Sequence, residues 1–488
     1  MTEFIGSWAN ELPELLVDRS KTKIVCTIGP SSSSEQVLLK LAKAGMNVAR
    51  LNLSHGPIEK QMAVLHRIRA VSSRSQLPVG VLVDLPGPRI RVGRVSPEPI
   101  DLEDGSYLTL TARYVVGSPR LISISHPSVL GELGKGDSVF LADGAIRLTV
   151  ENVGRGEAAC RVAKGGTLFS GKGVNLPGKT LGLRALTPRD VRLLRLALKN
   201  GADFIGLSFA TSAGDIARAK RIIKQANCQA WVIAKIQNRQ AVENFDDIIQ
   251  EADGVMVARG DLGVELGLDR IPLLQKDIIK KANLAGKPAI TATQMLESMV
   301  NNPTPTRAEV TDVANAIIDG TDAVMLSEET AVGKYPVESV KMMKTVASAT
   351  EKALPYRTLL DSRRALVKTI VQEAISFSAC DIAYGLGANC IVVHTRTGLT
   401  AHRVSKFRSS VPIIALAHSQ PVMNRLSLLW GVYSRRVRRL RTTAEIFAAA
   451  KSAARSTGIA SRGSKIVVVC GDPSTPSGTT DLLRVQTA

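Results

Sequence analysis

Lys235 closes the apolar run AWVIAKIQN, and packing does not explain it: an unpaired ammonium is costly to bury in a hydrophobic strand. Polar groups stand at the ends of other β-branched runs in the same way. They are Arg50, Asn52, Ser54 and His55 in NVARLNLSHG, Asp84 in PVGVLVDLPGP, and Ser208 in ADFIGLSFA. Gln237 follows Lys235 by two positions, Asp261 ends ADGVMVARGD, Thr293 stands in PAITATQM, and Ser327–Glu329 ends TDAVMLSEE. Asp261 lies in Arg-Gly-Asp-Leu-Gly, where glycines let backbone amides come close to an anion. One carboxylate there suits magnesium, which takes one or two protein carboxylates together with substrate phosphate oxygens. Cations around a metal carboxylate imply phosphoryl transfer, in which the protein positions and neutralises and does little covalent chemistry. No GxxxxGK[ST] loop is present, which excludes a P-loop enzyme. His55 is the only histidine on this rim and has no partner carboxylate in sequence, so it is not assigned as a general base. Ser327 by itself reads as a helix cap.

The elements that must position these groups are eight short strands, over 23–30, 47–56, 78–88, 202–210, 230–238, 252–261, 288–295 and 321–329. Runs that are apolar on both faces suit buried parallel strands. Helical stretches such as EQVLLKLAKAG and RAEVTDVANAIIDG lie between them and stop at glycine. From 202 onward strands begin roughly every 22–35 residues, a βα cadence. Eight such units predict a (β/α)₈ TIM barrel first and a doubly wound sheet second, and a barrel would gather the strand-end residues at one mouth. The cadence breaks between Pro88 and about Leu181, where SYLTLTA, DSVFLADG, IRLTVENVG and AACRVAKGG predict an inserted small β-barrel domain. After about Ala353 a new α/β pattern begins, with strands NCIVVHT, VPIIALAH and SKIVVVCG. The expected division is an N-terminal helical segment over 1–20, a catalytic barrel over 21–87 and 174–353, a β lid over 88–173, and a C-terminal α/β domain over 354–488. Phe4, Trp8, Leu12, Leu15 and Leu16 mark one face of that first helix.

Composition narrows the function classes. At 488 residues the chain exceeds one ordinary domain, and 44% hydrophobic residues supply large cores. The cysteines Cys26, Cys160, Cys228, Cys380, Cys390 and Cys470 are scattered without zinc spacing, as expected of reduced thiols in a cytoplasmic protein. The N-terminal stretch lacks a basic region followed by an apolar run, and nothing approaches the length of a membrane span. Net charge is +20, densest in Tyr433–Arg441, which fits anionic small substrates or an effector-binding face. Specific nucleic-acid binding is disfavoured, because no recognition motif accompanies the charge and aromatics are only 4%.

Taken together, TKIVCTIGP, MNVARLNLSHG, KGVNLPG, VMVARGDLGVE, ITATQMLESM, NPTPTRAEVTDVANA and DGTDAVMLSEETAVGKYP resemble pyruvate kinase from about Thr22 to the C-terminus. The resemblance implies a barrel with a β domain inserted after the third strand and an α/β C-terminal domain. It implies transfer of the phosphoryl group of phosphoenolpyruvate to ADP, giving pyruvate and ATP, with Mg²⁺ or Mn²⁺. By the same resemblance Lys235 and Arg50 neutralise the transferring group and Asp261 ligates the divalent ion. The amides of Gly260 and Asp261 receive the substrate carboxylate, with Ser208 alongside, and Thr293 lies where the enolate is protonated. His55, Arg91, Lys172 and Asn52 match nucleotide-side positions, and Asp143 matches a lid residue that meets Arg50 on closure. Members of the family are commonly tetramers.

The sequence departs from the family in three places. The second divalent-metal ligand is ordinarily a glutamate, and here it is Gln237, whose amide oxygen carries no negative charge. The monovalent site matches at Asn52, Ser54, Asp84 and the carbonyl of Leu85, but potassium-dependent members carry a glutamate where this chain has Arg89. A tethered guanidinium would supply that positive charge permanently, so K⁺ is not expected to be required. The effector loop of the C-terminal domain corresponds to Thr395–Thr400, only partly similar, and reads either as a site for a phosphorylated effector or as a simple turn. Three functions follow: a catalytic pyruvate kinase, a catalytically impaired metabolite-binding or sensing paralogue, and a nucleic-acid binder resting on charge alone.

Overall fold

The structure, a computed structural model, describes residues 20–179, 182, 184–473 and 479–488. The helix expected over 1–20 lies outside the described residues except for Ser20. Eight parallel strands close into a barrel: β1 (Lys23–Thr27), β2 (Val48–Asn52), β3 (Gly80–Asp84), β4 (Phe204–Leu207), β5 (Trp231–Ile236), β6 (Gly254–Ala258), β7 (Ala289–Ala292) and β8 (Ala323–Leu326). These are the eight runs expected from sequence. Alternation divides each strand between two cores. Val25, Leu82, Phe204, Ile233 and Met256 fill the inside of the ring, while Ile24, Cys26, Val81 and Val83 pack outward with the helices. Helix starts are locally encoded, with Thr187–Asp190, Ser212–Asp215 and Thr306–Glu309 each forming a reciprocal capping box.

Between β3 and β4 the chain builds a separate sheet unit around its own core, including Leu110, Val139, Leu148 and Val162. Its main sheet has six strands, from Val174–Asn175 at one edge to Leu121–Ser123 at the other. Most pairs are antiparallel, but Tyr107–Thr111 and Leu121–Ser123 run parallel. Single bridges from Arg91 to Gly173 and from Val92 to Ile124 join the two edges, so the ring is completed without a regular strand. The short strands Ile100–Leu102, Leu121–Ser123 and Gly166–Leu168 were not legible, because runs of three residues show no period.

The C-terminal unit is a five-stranded sheet covered on both faces by helices. Its strands are β9 (Cys390–His394), β10 (Ile413–Ala417), β11 (Val432–Arg436) and β12 (Lys465–Cys470), all parallel, with β13 (Leu482–Thr487) antiparallel at one edge. It seals the bottom of the barrel. Leu428 enters the interior core, and Asn424 Nδ2 donates to Asp203 Oδ1 (3.2 Å) below β4. The tightest contact is Arg408, buried at 4% exposure, which donates to both oxygens of Asp322 (2.7 and 2.9 Å) and to Gly320 O (2.6 Å). Removing one partner of such a pair leaves a buried charge uncompensated. Arg408→Met is therefore expected to lower unfolding free energy by about 3–5 kcal/mol. Urea unfolding of parent and variant measures this, and a loss under about 1 kcal/mol would show that the pair does not hold the junction.

Candidate active site

Asp84 ends β3 with 1% exposure, and two cations converge on it. Its Oδ2 accepts from Arg50 Nε (3.0 Å), from Arg50 Nη2, and from Lys235 Nζ (3.0 Å). Ser208 Oγ donates to Oδ1 at 3.4 Å and accepts from Lys235 Nζ at 2.9 Å. Arg50 Nη1 donates to Thr27 Oγ1 (3.0 Å), which donates onward to Leu326 O (2.9 Å). Six barrel strands or their ends thus meet in one network. Burial pushes the Asp84 carboxyl up, but Lys235 and Arg50 more than offset this and hold it below the usual carboxylate range. Two cations against one carboxylate leave one positive charge at the floor of the mouth. Glycine at 206 is required beside it: a Cβ there would stand 2.8 Å from Asp84 Oδ1.

A second cluster forms where β6 runs into the helix Arg259–Leu266 and β7 ends. The chain turns at Thr293 and Gln294 with φ of 70° and 54°. Thr293 Oγ1 accepts the Gly260 N–H (2.9 Å) and donates to Ala292 O (2.6 Å). Asp261 sits in the first turn of the helix, where the helix dipole favours an anion. Gln237 is buried and bridges outward. Its Oε1 accepts the Phe209 N–H (2.9 Å), and its Nε2 donates to Asp261 Oδ2 (2.6 Å). The amide oxygen expected to face a cation is therefore turned to the backbone, because the left-handed Phe209 (φ 55°) presents its N–H there. One helical turn on, burial pushes the Glu265 carboxyl up against the lowering hydrogen bond from Asn175 of the inserted unit, and the Asp261 charge raises it further. Among the described residues no three His, Cys, Asp or Glu side chains form a metal cage. A cation that draws most ligands from substrate oxygens and water fits Asp261; one needing an all-protein cage does not.

The residues expected on the nucleotide side lie in or beside the inserted unit. Arg89 Nη2 donates to Asp143 Oδ1 at 2.5 Å. Asp143, expected to meet Arg50 when the inserted unit closes, here accepts from Arg89, while Arg50 is held by Asp84 and Thr27. His55 is exposed, and its pKa is lowered by partial burial and then by Arg91, Arg89 and Arg50, which all face it. Arg91 Nη1 donates to Gly171 O (2.8 Å), and the exposed Lys172 lies 6.0 Å from the Phe169 ring. Asn52 and Asp84 are register partners, Asn52 Oδ1 accepts the Ser54 N–H (3.1 Å), and Leu85 follows directly. These four residues gather at the ends of β2 and β3, but both oxygens of Asp84 already hold donors.

Sequence reasoning missed Thr27, Phe209, Arg259 and the Glu265–Asn175 contact. Arg259 carried a signal, an arginine directly at a strand end, but the Gly-Asp after it drew the assignment. The cap reading of Ser327 fails: its Oγ is buried without a hydrogen bond, and its N–H instead donates to Glu329 Oε2 (2.6 Å). In the C-terminal unit, loop Thr395–Thr400 is a turn closed by the Gly398 N–H to Thr395 Oγ1 (2.9 Å), and it also lines a cleft of about 290 Å³. Arg396, Arg439, Arg441 and His418 face that cleft with His394, whose pKa burial and then Arg396 lower to about 4.

Comparison with known proteins adds three findings. Residues 19–340 match the family model for the pyruvate kinase barrel domain, and 373–486 match that for the pyruvate kinase alpha/beta domain. The chain is similar to a pyruvate kinase of Geobacillus stearothermophilus, at 43% identity over 96% of this chain and 80% of the relative. It is also similar to one of Thermococcus litoralis, at 45% over 85% and 88%. A crystal structure of a pyruvate kinase from Cryptosporidium parvum superposes with a TM-score of 0.92 at 36% identity, covering 98% of each chain.

The floor network makes its own prediction. Asp84→Asn keeps the shape and leaves two buried cations without a counter-charge, which should cost about 3–5 kcal/mol of stability. Because the folded Asp84 pKa is lowered, its ion-pair contribution is complete above the usual carboxylate range and is lost as pH falls through the lowered value. Parent and variant should therefore differ most near neutral pH and converge in acid. Unfolding measured across pH checks this, and a difference that grows toward acid would contradict the assignment.

Proposed function

The chain belongs to the pyruvate kinase family, and from that premise we propose that its barrel mouth moves the phosphoryl group of phosphoenolpyruvate to ADP. The observation that carries this reading is the sharing of one buried carboxylate, Asp84, by Lys235 and Arg50, with Asp261 in the first turn of the helix that follows the adjoining strand β6. Lys235 and Arg50 neutralise charge on the transferring group, and Ser208 fixes the Lys235 ammonium. The substrate carboxylate replaces Thr293 Oγ1 as acceptor of the Gly260 N–H, which frees the Thr293 hydroxyl to guide a proton to the enolate carbon. His55, Arg91, Lys172 and Asn52 serve the nucleotide. The inserted unit acts as a lid, within which Arg89 pairs with Asp143. A coupled assay of pyruvate formation tests the proposal. Substrate binding without turnover would favour a metabolite-sensing paralogue instead.

Asp261 would hold Mg²⁺ or Mn²⁺, and the bound cation would neutralise substrate oxygens. Gln237 orients Asp261 by donating to it and adds no charge. Gln237→Glu should therefore tighten Mn²⁺ binding by about tenfold, seen by electron paramagnetic resonance of free Mn²⁺, and lower the Mg²⁺ needed for half-maximal turnover. Equal metal affinity in parent and variant would end this account.

We also propose independence of K⁺. Arg89 supplies a tethered cation where potassium-dependent members carry a glutamate, and the Asp84 oxygens are engaged by donors. Turnover without Na⁺ and K⁺ should stay within about twofold of its value in K⁺, since a tethered charge needs no recruitment. Stimulation by an order of magnitude refutes it.

The C-terminal cleft, ringed by Arg396, Arg439 and Arg441, suits a phosphorylated effector. A homotetramer and a cytoplasmic setting, the latter consistent with six free cysteines, complete the proposal. The division into barrel, lid and C-terminal domain is our own, with Val174–Asn175 assigned to the lid sheet.

A further inference from the structure

Arg259 opens the helix that carries Asp261, and its side chain is 9% exposed. Its Nε donates to Ala292 O (3.3 Å) and Thr293 O (3.2 Å). Its Nη2 donates to Thr293 O (2.6 Å), Gln294 O (3.2 Å) and Met295 Sδ (2.9 Å). Three consecutive carbonyls thus converge on one guanidinium. They belong to the segment in which Thr293 and Gln294 both take the left-handed conformation. A Cβ disfavours that conformation, and two such residues in succession persist only when their surroundings over-determine them. Arg259 itself is held from the other side. Its Nη1 donates to both oxygens of Asp312 (2.8 and 2.7 Å) and to Gln275 Oε1 (3.3 Å), and Gln275 Nε2 donates to Asp319 Oδ2 (3.0 Å).

We propose that Arg259 is a positioning residue for the reaction. It clamps the strained Thr293–Gln294 backbone and so sets Thr293 Oγ1 against the Gly260 N–H, across the gap between β6 and β7. The functional half of this inference rests on the roles given above to Thr293 and Gly260. The clamp itself rests on the hydrogen bonds alone. A rigid fork is needed because a lysine ammonium cannot reach three carbonyls and a carboxylate in one plane. Asp312, on the helix Arg307–Ile318, sets where the fork sits.

The test uses the full-length protein with Arg259→Lys and Asp312→Asn, which loosen the clamp from opposite ends, so that a fold failure in one leaves the other. Backbone hydrogen exchange over 292–296 is measured without ligand, beside kcat and the separate KM values for phosphoenolpyruvate and ADP. Exchange at 292–296 should quicken about tenfold, as local opening becomes easier. The kcat should fall on the order of a hundredfold, the scale of a 1 Å misplacement, while KM for ADP stays within about twofold, since Arg259 has no contact on the nucleotide side. Unchanged exchange overturns the clamp whatever the activity does. Faster exchange with unchanged kcat overturns its role in the reaction. Faster exchange in variants of a parent that does not turn over phosphoenolpyruvate upholds the clamp and removes the substrate reading instead.

Discussion

A single buried carboxylate organises this molecule. Asp84 stands between Arg50 and Lys235 at the floor of the barrel mouth, and among the described residues neither cation pairs with another carboxylate. Burying two such groups is tolerable only with a counter-charge and full hydrogen bonding. Much of the local design follows. Gly206 lacks a side chain because Asp84 occupies that space. Thr27 and Ser208 stand where the remaining donors need acceptors. The parallel closure of the strands puts all their C-terminal ends on one side, which lets β1 to β5 and β8 contribute to one network.

The fold was legible to a high degree, because long apolar runs with glycine stops encode parallel strands and helices locally. Each of the eight barrel strands fell within its expected run. The three-residue strands of the inserted unit were not legible, since their pairing depends on distant partners. Within the site, sequence named the residues that converge but not their pairings. That Arg50 pairs with Asp84 and Asp143 with Arg89 in the arrangement seen here was not named. Such choices depend on which donor reaches which acceptor first in space, and no spacing along the chain records that.

The two departures from the family take on different characters in three dimensions. Gln237 is a donor to Asp261, fixed in that orientation by the Phe209 N–H on its far side. It substitutes a hydrogen bond for a charge. Arg89 adds a charge that acts on His55, and its guanidinium pairs with Asp143 within the inserted unit. The aperture is therefore more cationic than a glutamate at either place would make it, which favours entry of multiply charged anions.

The seal at the barrel bottom bears on how the chain can be divided. Lys23, in β1, is 1% exposed, donates to Val432 O (2.7 Å), and lies over the Tyr433 ring at 4.1 Å. Both partners belong to the C-terminal unit, as does Leu428 in the barrel interior. The homology boundary between residues 340 and 373 is thus not an energetic boundary. A barrel cut there would present a lysine, an aspartate and an open hydrophobic core to water or to other chains. A barrel without the C-terminal unit would need a different first strand, because Lys23 takes its partners from that unit.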